Sequence, residues 1–370
     1  MQTRLTSGPL HNAQGELDAV GWATREVRRY SRAAIGASRW RIKEWDYYCI
    51  GNDDCALALT VADNGYLGFL GLAWMDFAAQ TATNHGAVRP LPLGRMALPE
   101  SADRGDIVQR HGGVDLAFRH VPGGRILTFA APKFGGGKGL SGEIRLTQPD
   151  EDRMVIATPF AESRKAFYYN QKINCMPAAG EVVLGGERIG FDPASSFAVL
   201  DWGRGVWTYD NTWYWGSASG LVDGRRFGFN IGYGFGDTSA ASENMLFLDG
   251  TAHKLDRVEF HMPAGSPDSA PWRFSSNDGR FELDFTPLVD RADKAGMTLT
   301  AALHAAHISE GRFEVYTDET GSLGTDLLSL FVTDQHQVFG RFSGTVVLDD
   351  GTRLEIRDLT GFAEKVHNRW

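Results

Sequence analysis

The chain has 370 residues, 42% hydrophobic and 22% charged, with 37 Lys and Arg against 46 Asp and Glu for a net charge of −9. That length suggests two domains, each able to bury its own core. No run approaches about 18 consecutive apolar residues, and an acidic chain without a basic block excludes nucleic-acid binders and integral membrane proteins from the expected classes.

Glycine (44) alongside 10 Trp, 10 Tyr and 22 Phe favours turns and strands over helix bundles. Residues 40–50 read as an aromatic-rich strand, with Lys43, Trp45, Tyr47 and Cys49 on one face and Glu44, Asp46, Tyr48 and Ile50 on the other. The turn GNDD leads to a second strand, CALALTVAD, and the Asn64-Gly65 hairpin signal leads to a third, YLGFLGLAWMDF. Further turns are expected at 122–124, 149–152, 222–226, 277–279, 318–321 and 349–351. Strands punctuated this way suggest antiparallel barrels or sandwiches and exclude a doubly wound α/β fold. The opening MQTRLTSGPL has no apolar signal core, and Cys49, Cys55 and Cys175 show no CxxC spacing, so a reducing cytoplasm is the expected setting.

Residues 141–162 and 343–364 share Ser-Gly at the start and Phe-Ala-Glu at the close, and residues 63–69 and 223–229 share Asp, Gly and Phe. Their common order predicts two related β-barrels, at 15–180 and 181–370. Two such barrels offer a cleft at their junction, where ligand sites tend to lie.

KEWDYYCI, NCMPAAG, LDWGRGVW, WYWGSASG, GFNIGYGFGD, QVFGRFSG and the closing GFAEKVHNRW resemble the domain-of-unknown-function family 2804, over nearly the whole chain. The resemblance implies an all-β fold of two tandem lipocalin-like antiparallel barrels packed together. It also implies kinship with carotenoid 1,2-hydratase, tocopherol cyclase and the fungal Diels–Alderases. Those proteins act on hydrophobic substrates without metal or redox cofactor. No catalytic position transfers residue by residue, so the chemistry rests on the residues themselves.

Four tryptophans, Trp202, Trp207, Trp213 and Trp215, fall between residues 202 and 215. Such rings line an apolar pocket or stabilise positive charge; the alternative is a core strand with a hairpin turn at Asp210-Asn211. Asp201 and Arg204 are read as a polar pair. Glu44 and Asp46 share a strand face with Tyr48. If that face points into a barrel, burial raises one carboxyl pKa and makes a general acid; if outward, these are solvated charges, and Trp45 lines the ligand from the other face. Glu243 interrupts an apolar stretch and is a third candidate acid, or a turn cap. Asn170 and Lys172 alternate on one face and could orient a ligand carbonyl or satisfy the junction backbone, while Asn230 and Tyr233 occupy opposite faces of a glycine-rich strand.

FGGGKGL departs from a P-loop, GSASG centres on Ala218 rather than Ser, and His304 and His307 would face opposite ways on a strand. No metal or other cofactor is expected. The residues predict a cofactor-independent lyase or isomerase that folds a hydrophobic small molecule in an aromatic pocket. Glu44, Asp46 or Glu243 would serve as acid, and Trp45, Tyr48, Asn170, Lys172, Asp201, Arg204, Trp207, Trp213, Trp215, Asn230 and Tyr233 would line the ligand. A non-catalytic carrier of an apolar ligand needs the same pocket without the acid. A carbohydrate-active protein would use the tryptophans as platforms.

Overall fold

The computed structural model describes residues 2–298 and 329–369; His304, His307 and the turn expected at 318–321 lie outside them. The regular structure is almost entirely strand, gathered into a thirteen-stranded and a nine-stranded antiparallel sheet and a short parallel pair, Gly8–Pro9 with Arg28–Arg29. Each sheet curls into a lipocalin-like barrel. In the first, the end strands Thr81–Pro90 and Ile107–His111 meet where His111 Nε2 lies 2.9 Å from Val88 O.

The strands that build the junction between the barrels are β1 (Ile42–Gly51), β2 (Met154–Phe160), β3 (Ser163–Leu184), β4 (Phe197–Val206), β5 (Asp210–Val222), β6 (Arg225–Tyr233), β7 (Ser329–Val347) and β8 (Arg353–Arg369). In the first sheet β4 lies between β1 and β3, and β2 pairs with β3. In the second sheet β8 lies between β5 and β7, and β6 pairs with β5. The two sheets thus share a plan: a late strand returns beside the first long one. The matched sequence segments do not trace that plan. Residues 343–364 span the β7–β8 hairpin, whereas 141–162 span the Leu140–Thr147 strand and β2, which do not pair with each other but lie along separate stretches of β3. Ser and Gly recur at the turns of any β protein, so the Ser-Gly match carries no topology.

The chain leaves the first sheet at Val206 and enters the second at Asp210, so residues 181–206 complete the first sheet. Asp210-Asn211 therefore opens a strand rather than forming the expected hairpin turn: β4 and β5 belong to different sheets.

Both interiors are filled. Phe227, Phe229, Trp272, Phe274, Phe281, Phe285 and Phe342 pack the second barrel, each worth about 1.5–3 kcal/mol on burial. Trp202, Arg204, Arg125, Tyr48 and Tyr169 fill the first. Among the described residues, cavities of about 210 and 340 Å³ lie between the barrels. Because β1, β3 and β4 face their own barrel on one side and the second barrel on the other, both faces are buried; β4 is buried along its whole length.

Candidate functional site

Strand alternation assembles the seam. On the first barrel, Lys172 of β3 is opposite Asp201 of β4, which is opposite Tyr47 of β1; the next rung reads Asn170, Gly203, Trp45. A side chain at position 203 would collide with Trp45, whose Cζ2 is 2.0 Å from where a Cβ would sit, so glycine there lets the indole lie flat on the sheet. The second barrel contributes Trp213 and Trp215 from β5, Asn230 from β6, Gln337 from β7 and Glu364 from β8. The loop after β6 adds Phe235 and Glu243.

These groups form one buried network. Lys172 Nζ is 2.9 Å from Asp201 Oδ2 and 4.0 Å from the centre of the Trp215 ring, and Asn170 Nδ2 donates to Asp201 Oδ1 at 2.6 Å. Trp215 Nε1 donates to Asn230 Oδ1 (2.6 Å). Tyr168 OH donates to Glu243 Oε1 (2.7 Å). Asn230 Nδ2 donates to the Glu243 backbone carbonyl (2.9 Å), and Glu243 Oε2 is buried without a hydrogen bond. Trp213 Nε1 (3.0 Å) and Gln337 Nε2 (3.2 Å) hold the two oxygens of Glu364, and Gln337 Oε1 in turn accepts from Tyr47 OH (3.1 Å) and Arg291 Nη1 (2.9 Å).

Charge in this network is out of balance. Burial raises the Glu243 carboxyl above the usual range, although Lys172 opposes the shift. Burial also lifts Glu364 to about 7, against the pull of Trp213 and Lys172. The Tyr168 phenol is pushed well up by burial and by Glu243. Two carboxyl groups whose ionised forms burial opposes, beside an ion pair, are chemically equipped to give or accept a proton.

Aromatic rings close one end of the seam. Trp45 and Phe235 stack on Tyr168 at 6.2 and 4.8 Å, and Trp207 meets Trp213 edge-on at 5.0 Å. At the other end a cavity of about 210 Å³ is lined by residues including Cys49, Val199, Ser217, Phe339 and Phe362. Each lies two residues along its strand from Tyr47, Asp201, Trp215, Gln337 and Glu364 respectively, so the cavity continues the same face. Phe362 packs edge-on to Trp215 at 4.7 Å between cavity and carboxyl group.

The sequence-predicted residues divide between two places. Trp45, Asn170, Lys172, Asp201, Trp207, Trp213, Trp215, Asn230 and Glu243 line the seam. Glu44, Asp46, Tyr48 and Arg204 face into the first barrel. Asp201 and Arg204 do not pair: three residues apart on one strand, they point to opposite faces. Arg204 instead binds Asp46 (2.9 Å) and three backbone carbonyls, and approaches Glu44 to 4.0 Å. Glu44 also accepts from Tyr30 OH (2.7 Å) and from Arg32, and Tyr48 OH accepts from Arg125 (2.8 Å). Burial raises the Asp46 carboxyl and Arg204 opposes it. This enclosed ion network holds the barrel together. Tyr233 stacks on Tyr214 at 4.6 Å and meets Phe260 at 5.3 Å, away from the seam.

Sequence reasoning missed Tyr168, Phe235, Gln337 and Glu364. Tyr168 was legible, since it alternates with Asn170 and Lys172 in YYNQK. Glu364 sits in the closing GFAEK, where one charge between Phe362 and Val366 on its strand face was the available signal.

Two curled antiparallel sheets with a buried polar seam define a tandem lipocalin-like β-barrel protein. The fold is similar to that of an AttH-like protein from Nitrosomonas europaea, at 13% identity and TM-score 0.50 over 94% of this chain and 98% of the other. Two further structures overlap more loosely. CghA with Sch210972 gives 11% identity and TM-score 0.49 over 97% of both chains. Kievitone hydratase from Nectria haematococca gives 10% and 0.46 over 98% of both. No curated protein matches the sequence. The chain belongs to the family described as Domain of unknown function (DUF2804), whose profile matches residues 2–314 and 322–370.

Proposed function

We propose that the seam binds an apolar small molecule and acts on it as a cofactor-independent lyase or isomerase, with Glu243 moving the proton. The observation that carries this reading is Glu243 Oε2: a buried carboxyl oxygen with no hydrogen bond, among aromatic rings from both barrels. An unsatisfied buried oxygen costs about 1–3 kcal/mol, a cost that a functional site retains. Lys172 and Asp201 fix the field around it, and Trp215 and Phe235 stabilise positive charge that develops on the ligand. Glu364 is a second candidate acid.

The test is to identify by mass spectrometry what co-purifies with the protein, incubate it with fresh protein, and follow its conversion in the wild type and in Glu243→Gln and Glu364→Gln. Loss of conversion by at least a hundredfold in Glu243→Gln with retained binding supports the mechanism; unchanged conversion in both variants removes it. A carrier function is the second reading. It is favoured by the layer of Phe362 and Trp215 that separates the 210 Å³ cavity from the carboxyl groups. A ligand recovered unaltered would support it.

A further inference from the structure

We infer that the ligand taken up at the seam carries a positive charge on an apolar body, in the manner of an alkylammonium, and enters beside the loop that bears Phe235. The inference deepens the proposed function and rests on the reading that the seam binds an apolar small molecule.

A hollow of about 340 Å³ opens between the barrels on the side opposite the 210 Å³ cavity, and its lining includes Phe160, Glu162, Asp210, Gly234, Gly236 and Asp237. Its charged rim is acidic. Asp210 is engaged by His367 (2.9 Å) and Arg369 (3.6 Å), while Glu162 and Asp237 are exposed and carry no ion pair among the described residues. Behind the rim come ring faces. Phe160 lies 5.9 Å from Trp207, and Trp207 and Trp213 lie 6.0 and 6.2 Å from Phe235. Behind the rings is the unsatisfied Glu243 Oε2. That oxygen and the edge of Phe235 both lie about 3 Å from where a Cβ on Gly232 would sit, so the carboxyl group and the ring flank the same spot. An acidic mouth, aromatic walls and a buried carboxyl group form the sequence of environments that attracts and holds a cation with an apolar tail.

The seam already holds one cation this way. The Lys172 ammonium rests on Trp215 at 4.0 Å, 6.0 Å from the Phe235 ring and 2.9 Å from Asp201. Asp201 is answered by Lys172, and the nearby Arg291 is turned to Gln337 and Asn84, which leaves the buried Glu243 and Glu364 carboxyl groups without a directly paired cation among the described residues. An incoming ammonium would let one of them ionise, whereas an incoming carboxylate finds no free cation among the described residues of the seam.

The experiment titrates the full chain, by tryptophan fluorescence at low salt and neutral pH, with decyltrimethylammonium, 1-decanol and decanoate below their micellar concentrations. The ammonium is expected to bind about tenfold or more tighter than the alcohol, with decanoate weakest. The exposed pair Glu162→Gln and Asp237→Asn, which leaves the fold untouched, should weaken the ammonium several-fold and spare the alcohol. Glu243→Gln should abolish the preference. Equal or tighter binding of decanol or decanoate overturns the inference while leaving the seam as an apolar site. Failure of all three to bind overturns both.

Discussion

Glu364 is the residue whose ionisation the seam controls most measurably. Its carboxyl group titrates near 7, above its ordinary 4.5, because burial penalises the charge. Folding therefore favours the protonated form. The stabilisation is complete below about 4.5, declines as pH rises, and is gone above about 7, a swing on the order of 3 kcal/mol. Chemical denaturation from pH 4 to 8 should show Glu364→Gln lacking that decline relative to the wild type; parallel pH profiles would place Glu364 in contact with water. His11 has the opposite sign. Buried against Phe167 with both ring nitrogens unpartnered, it is depressed from 6.5 to about 4 by desolvation. Its effect is absent above 6.5 and destabilises as pH falls toward 4, so His11→Leu should resist acid better than the wild type. Arg204 tests the interior of the first barrel: Arg204→Met strands Asp46, while Glu44 keeps Arg32 and Tyr30, and should cost about 3–5 kcal/mol in urea titrations. At this scale the sequence yielded residue types rather than roles. Glu44, Asp46 and Glu243 were equal candidates in one dimension, and what separates them is the partner each meets. Asp46 is paired with Arg204 at 2.9 Å, while Glu243 Oε2 has no hydrogen bond.

Elements were legible wherever local chemistry decides. The strand at 40–50 and the Asn64-Gly65 hairpin follow from alternation and turn residues, and the structure places strands at Ile42–Gly51, Cys55–Asp63 and Leu67–Asp76. Facing was not legible. Alternation of apolar and polar residues reports facing only when one side meets water, and β1, β3 and β4 are buried on both. Gly203 offers a test of this double burial. Gly203→Ala drives a methyl group into Trp45 and should cost about 1–3 kcal/mol by thermal unfolding, with a change in tryptophan emission. An unchanged melting temperature would show that Trp45 moves freely and that the seam is loosely packed. The loop of residues 234–244 is the other critical element. It brings Phe235 and Glu243 to the seam and is anchored on β2, where Thr158 Oγ1 donates to the Phe235 carbonyl (2.6 Å).

As a whole, the molecule is two barrels joined by a buried polar seam, the first with an ion network inside it and the second with an aromatic interior. The tandem architecture could be read from family motifs spread along the chain, because the motifs keep the order of the fold. The strand that completes the first sheet could not, since β4 follows the glycine- and proline-rich stretch where a boundary was expected. A network crossing the seam from Tyr47 to Gln337 and from Tyr168 to Glu243 couples the barrels. Circular dichroism and tryptophan fluorescence should therefore report one coincident urea transition; two separated transitions would show that the seam contributes little. The central claim is that a ligand lodges between the barrels, against Trp207, Trp213 and Phe235, rather than inside either. A crystal of the full chain soaked in a bromine-tipped decyltrimethylammonium, examined for anomalous scattering at the bromine edge, tests it directly. We predict a peak along the seam within van der Waals contact of those rings; a peak within the Phe229–Phe342 core of the second barrel, or no peak at saturating ligand, would contradict the account.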